Sequence, residues 1–246
     1  MTDTHAHYDD PAFDADRNDA ITSALKVSDI IINAGISDIR SESTVALAEK
    51  YDRIYAAVGI HPQHSGDLSV IERLCAHEKV IAVGETGLDY RNADNAEKQR
   101  QRELFTAQIE IAKKYNLPLI IHCVDAWGDM LSILCGSHAR GVLHGFTGSA
   151  ETALTLVRQG FCIGFGGRIT YPGAKRANAA LRAIPTDRIL TETDAPYAPP
   201  APYFGRRCEG YMMRDTVSYI SRSLDCDESI FEENAVKLFF EKEGSF

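Results

Sequence analysis

Apolar residues in this 246-residue chain come in short, dense bursts. The stretches between them place apolar residues every three or four positions. The bursts DIIINAG (29–35), IYAAVGI (54–60), VIAVG (80–84), LPLIIH (117–122), RGVLHGF (140–146), GFCIGFGG (160–167) and RILTETD (188–194) are mostly aliphatic, several with runs of Ile or Val. Each ends in or runs into glycine or a polar residue, which predicts buried strands. Residues 1–5 predict one more strand, a very short one. The clearest helix lies over 94–116, where Leu104, Phe105, Ile109 and Ala112 fall on one face. Residues 151–159 and 215–224 predict two others. Continuously apolar strands alternating with helices imply a parallel sheet covered on both sides. No linker or composition break divides the chain, so one domain is expected over residues 1–246.

The polar residues that end these bursts are unusual in kind. Glu85 follows VIAVG, His61 follows IYAAVGI, His122 closes LPLIIH, His144 follows RGVL, and Asp194 closes RILTETD. A strand end turning into solvent is polar by default. Five ends that all carry His, Glu or Asp form a pattern, because these are the side chains that bind metal. The segment THAHYDD adds His5 and His7, which point to the same face if that segment is extended. Adjacent strands lie ~4.8 Å apart, so five ends of an open sheet would spread over about 20 Å. A closed (β/α)8 TIM barrel, an α/β fold, gathers every carboxyl end around one mouth. It also seats the first strand, with its two histidines, beside the last, with Asp194.

Composition narrows the function. With 44% hydrophobic and 25% charged residues the chain can bury one substantial core. No apolar run approaches the ~18 residues of a membrane helix, and no membrane partner is expected. The acidic, polar first residues are expected to be neither a secretory signal nor a transit peptide. The six cysteines are scattered without a Cys-x-x-Cys pair and read as reduced thiols of a cytoplasmic protein. A net charge of −9 argues against a broad, nonspecific nucleic-acid-binding surface. It leaves room for a local basic rim, since residues 168–214 carry most of their charge as Arg and Lys while residues 1–19 hold six aspartates.

Taken together, THAHYD, GIHPQ (59–63), GETGLDY (84–90) with the spaced Gln101, Phe105 and Gln108, IIHC (120–123), HGFTGS (144–149), ETDAPY (192–197) and ENAVKLF (233–239) resemble the TatD-like metal-dependent deoxyribonucleases, a branch of the amidohydrolase barrels. The resemblance implies two divalent ions, with His5, His7 and Asp194 on one, His122 and His144 on the other, and Glu85 bridging both. Electrostatics agrees, because two cations ~3.5–4 Å apart need an anion between them. Relatives in the wider group use a carboxylated lysine on the fourth strand, where VIAVGE has none. Imidazoles and carboxylates suit Zn²⁺, Mn²⁺ or Mg²⁺ alike.

The implied reaction is attack of an activated water on a phosphodiester of DNA, at ends or in single strands, in the manner of an exonuclease. Asp194 and Glu85 are the expected catalytic residues, and His61, Arg91 and Arg206 the expected substrate contacts. Arg168 and Arg207 are further sources of positive charge. The alternative is an amidohydrolase cleaving a C–N or C–O bond of a small metabolite, and a third reading is a metal-bearing barrel without turnover. Three positions depart from the family pattern. Val124 stands where an arginine usually follows the fifth-strand histidine, and Cys208 and Gly210 flank a retained Glu209.

Overall fold

In the computed structural model, which describes residues 1–241, every predicted burst contains a strand. The order is β1 (Thr2–Ala6), α1 (Arg17–Ala24), β2 (Ile30–Ala34), α2 (Asp38–Lys50), β3 (Ile54–Val58), α3 (Leu68–Leu74), β4 (Val80–Asp89) and α4 (Asn95–Lys114). It continues with β5 (Leu119–Val124), α5 (Trp127–Leu134), β6 (Gly141–Leu143), α6 (Ala150–Arg158), β7 (Cys162–Phe165), α7 (Lys175–Ala183), β8 (Ile189–Thr191), α8 (Met213–Leu224) and α9 (Ser229–Phe239). The eight strands are parallel and neighbour one another in chain order, giving the (β/α)8 barrel. Residues 242–246, the end of the predicted domain span, lie outside the described residues.

Closure between β1 and β8 rests on the residues just past β8. Asp194 N–H donates to His5 O at 2.9 Å, and His7 N–H donates to Ala195 O at 2.7 Å. The buried Asp3 carboxylate accepts from Thr193 N at 2.9 Å and from Thr193 Oγ1 at 2.7 Å. These bonds set Asp194 against the two histidines. Asp3→Ala would strand both buried Thr193 donors and the weaker His5 N–H donor at 3.4 Å, and is expected to lower the unfolding free energy by about 2–4 kcal/mol. A urea titration checks this: the midpoint should fall with the slope preserved.

The strands alternate inward with period two. Ile32, Ala57, Ile120, Val142 and Leu190 form one buried cluster with Leu238 and Phe239 of α9. On β5 and β6 the next positions with that orientation are His122 and His144, so the periodicity that builds the core also aims the ligands.

β4 is twice the length that its apolar run predicts, because Glu85 to Asp89 continue the strand. Gly87 makes this possible. Its φ is +133°, and a Cβ there would lie 2.1 Å from the carbonyl oxygen of His122. The glycine lets β4 lie against β5 where Glu85 and His122 must meet. α4 holds the same region from outside. Gln101 exchanges hydrogen bonds with the backbone of Asp89 at 2.8 and 2.9 Å, and Gln108 with that of Ile60 at 2.8 and 3.0 Å. The two glutamines of the motif are therefore clamps on the segments that carry Glu85 and His61.

Candidate metal centre

Glu85 is the hub of the barrel mouth. Its Oε2 faces His5 Nε2 at 3.6 Å and His7 Nε2 at 3.4 Å. Its Oε1 faces His144 Nε2 at 2.8 Å, His122 Nδ1 at 2.9 Å and His61 Nε2 at 3.6 Å. Asp194 Oδ1 lies 3.7 Å from His5 Nε2 and 3.6 Å from His7 Nε2. All six side chains expected as ligands converge here. Among the described residues three sets have ligand atoms within 4.8 Å of one another: His5, His7 and Asp194; His5, Glu85 and His144; His61, Glu85 and His122.

The second nitrogen of each ring decides what the first can offer. His7 Nδ1 sits 2.8 Å from the carbonyl oxygen of Ala34, so it carries the proton and Nε2 turns a lone pair inward. His122 Nε2 sits 3.2 Å from Asp89 Oδ2, which frees Nδ1 in the same way. His61 is set the opposite way. Its Nδ1 accepts from Gln63 N at 3.1 Å, so the proton of the neutral ring lies on Nε2, toward Glu85. Although His61 joins one of the three sets, that tautomer donates a hydrogen bond and offers no lone pair to a cation.

The electrostatics fit a cation-holding site. Burial strips charge from His5 and His61, pushing them down to about 4 and about 3. On His7 burial is outweighed by Asp194 and Glu85, and on His122 by Asp89 and Glu85, so both rise to about 9. Burial opposes ionisation of Glu85 and Asp194, yet the surrounding histidines hold both carboxyls below their ordinary range. Glu85 raises His144 as well, so the carboxylates draw positive charge onto His7 on one side of Glu85 and onto His122 and His144 on the other. A divalent ion supplies that charge without protonating its ligands, and this donor set fits one.

Two carboxylates behind the ligands were not assigned from sequence. Asp89 has a fully buried side chain and also accepts from Gln63 Nε2 at 3.0 Å. Its place was legible, since Glu85 and Asp89 are four apart on one strand and so share a face. Asp89→Ala should weaken metal binding about 10- to 100-fold, read by competition with a chelator, with Asp89→Asn closer to wild type. Glu192, fully buried, accepts from Gly145 N and lies 3.9 Å from His144 Nδ1. Burial pushes its carboxyl up to about 8.

The cleft above the cluster has two lobes, of about 630 and about 310 Å³, which share Arg91, His122, His144, Arg168 and Asp194. His61 lines the smaller lobe. Arg91 is ion-paired to Asp89, but its side chain stays half exposed and reaches both lobes. Arg206 lines neither lobe and lies over the ring of Tyr203 at 6.0 Å. Arg207 is engaged by Asp16 at 2.6 Å and Glu209 at 2.7 Å. Among the described residues no helix is long and apolar enough to cross a membrane.

A buried His, Glu and Asp cluster at the carboxyl face of a (β/α)8 barrel defines the class, a metal-dependent hydrolase. The family model described as TatD related DNase matches residues 2–240, and the chain belongs to that family. The metal-dependent hydrolase YabD of Bacillus subtilis (strain 168) is 39% identical, across 97% of this chain and 98% of its own. The metal-dependent hydrolase TatD of Mycobacterium tuberculosis is 35% identical, across 88% of each. The crystal structure of YjjV, a TatD homologue from Escherichia coli K12, is similar with a TM-score of 0.89 at 30% identity, over 97% of both chains.

Proposed function

We propose that the protein hydrolyses phosphodiester bonds of DNA, at ends or in single strands, with Glu85 bridging two divalent ions. The observation behind this is the division of labour at Glu85, where one oxygen faces His5 and His7 and the other faces His122 and His144. His5, His7 and Asp194 would hold one ion, and His122 and His144 the other. Bound ions supply an acidified water and stabilise charge on the phosphoryl oxygens. The chain's own groups do the rest. Asp194 lines both lobes, and its carboxyl is held below the ordinary range, so it is ionised and able to orient the water and take its proton. His61 presents its Nε2–H to the smaller lobe. Arg91 and Arg168 meet the phosphate from the ridge between the lobes. Arg206 would act only on a strand long enough to leave both lobes. The six free cysteines suit a reducing, cytoplasmic setting.

The test is hydrolysis of an end-labelled single-stranded oligonucleotide beside a panel of amides and lactones, with protein loaded in turn with Zn²⁺, Mn²⁺ and Mg²⁺. Shortening of the oligonucleotide is expected, with apparent affinity falling as salt rises, by about 0.7 log units per log unit of salt for each phosphate contacted. Turnover of a neutral amide or lactone, indifferent to salt, would move the reading to the small-metabolite amidohydrolase.

A further inference from the structure

The larger lobe extends well beyond the cluster at its floor. Its walls are apolar: Val124 ends β5, Phe165 ends β7, and Phe146, Ile169, Tyr171 and Phe204 come from the loops after β6, β7 and β8. Val124 stands where the family usually carries an arginine, so this wall is apolar in this chain. Tyr171 and Phe204 meet edge to face at 5.2 Å, and Tyr171 Oη donates to the carbonyl oxygen of Pro199 at 2.7 Å, which fixes its ring. Phe204 is 73% exposed, an aromatic ring held against water.

The rim has the opposite character. Arg168, Lys175 and Arg176 are exposed there, and no ion pair engages them among the described residues. Elsewhere Arg40, Arg73, Arg100 and Arg102 each pair with a carboxylate. In a chain of net charge −9, three unpaired cations around one cavity focus a positive field on it. A ring-lined lobe with a cationic lip matches a flat aromatic group attached to an anion.

We propose that this lobe holds the base of the nucleotide adjoining the scissile bond, stacked on Phe204 and Tyr171, while Lys175 and Arg176 hold the next phosphate along. This rests on the phosphodiesterase reading above and adds the subsite that selects the strand. A double helix keeps each base in its stack, so the lobe admits a single strand or a frayed end.

A binding experiment on the metal-loaded protein tests it. Trp127 is the sole tryptophan and packs on Phe146 at 4.9 Å, so its emission reports on the lobe wall. Deoxythymidine 3′,5′-bisphosphate, with a base for the lobe and a phosphate for each end, should quench or shift that emission and bind at least about tenfold more tightly than inorganic phosphate. Phe204→Ala, at an exposed position, should weaken the bisphosphate about tenfold and leave inorganic phosphate alone. The pair Lys175→Ala and Arg176→Ala should weaken it too and flatten its salt dependence. On the oligonucleotide, Phe204→Ala should raise KM more than it lowers kcat.

A bisphosphate that binds no more tightly than phosphate, or that ignores both variants, overturns the proposal. Oligonucleotide cleavage that is indifferent to Phe204 would sink the subsite and leave the nuclease reading standing. Bisphosphate binding that depends on Phe204, without cleavage of any oligonucleotide, would do the reverse.

Discussion

Asp194→Asn is expected to fold normally and to lose about 10²- to 10⁴-fold in kcat, the usual loss on removing a positioned acid–base group. The fold survives for local reasons. Asp194 has a φ of +58°, a backbone region that Asn tolerates as Asp does. Its N–H bond to His5 O at 2.9 Å belongs to the main chain and is untouched by the change. What the amide lacks is the charge that faces His5 and His7 and a site for the proton of the attacking water. A thermal melt beside steady-state kinetics separates the two effects. A variant that melts with the wild type and keeps kcat within about tenfold would remove Asp194 from the chemistry.

Glu85→Ala is expected to empty both halves of the centre together, because each oxygen of Glu85 serves a different set of histidines. Without it, Asp194 would remain beside His5 and His7, but Asp89 and Glu192 meet His122 and His144 at the ring nitrogens turned away from Glu85. Elemental analysis after dialysis should find about two ions per wild-type chain and close to none in the variant, with hydrolysis lost. Retention of one ion at wild-type affinity would show that Glu85 belongs to a single site.

The barrel was legible because its strands are apolar on both faces, which makes each one a solid burst such as IYAAV or LPLII. Their ends were less so. β4 runs on through Glu-Thr-Gly-Leu-Asp because Gly87 permits close packing on β5, a tertiary reason that no hydropathy pattern carries. β6 and β8 are three residues each, shorter than their apolar runs, as the chain leaves the sheet before Gly145 at φ +53° and Asp194 at φ +58°.

All six expected ligands converge, since chemistry-bearing residues at strand ends need only the barrel to bring them together. Residues on the long loops were harder to place. Arg168 and Arg206 both follow strands, yet only Arg168 faces the cleft. The tautomer of His61 depends on the Gln63 N–H, a contact that spacing does not reveal.

The division of ligands across Glu85 is most directly tested by anomalous scattering from crystals grown with Zn²⁺ or Mn²⁺. Two peaks are expected about 3.5–4 Å apart, one beside His5, His7 and Asp194 and one beside His122 and His144, with the Glu85 carboxylate between them. A single peak, or two peaks on the same side of that carboxylate, would contradict the bridged centre.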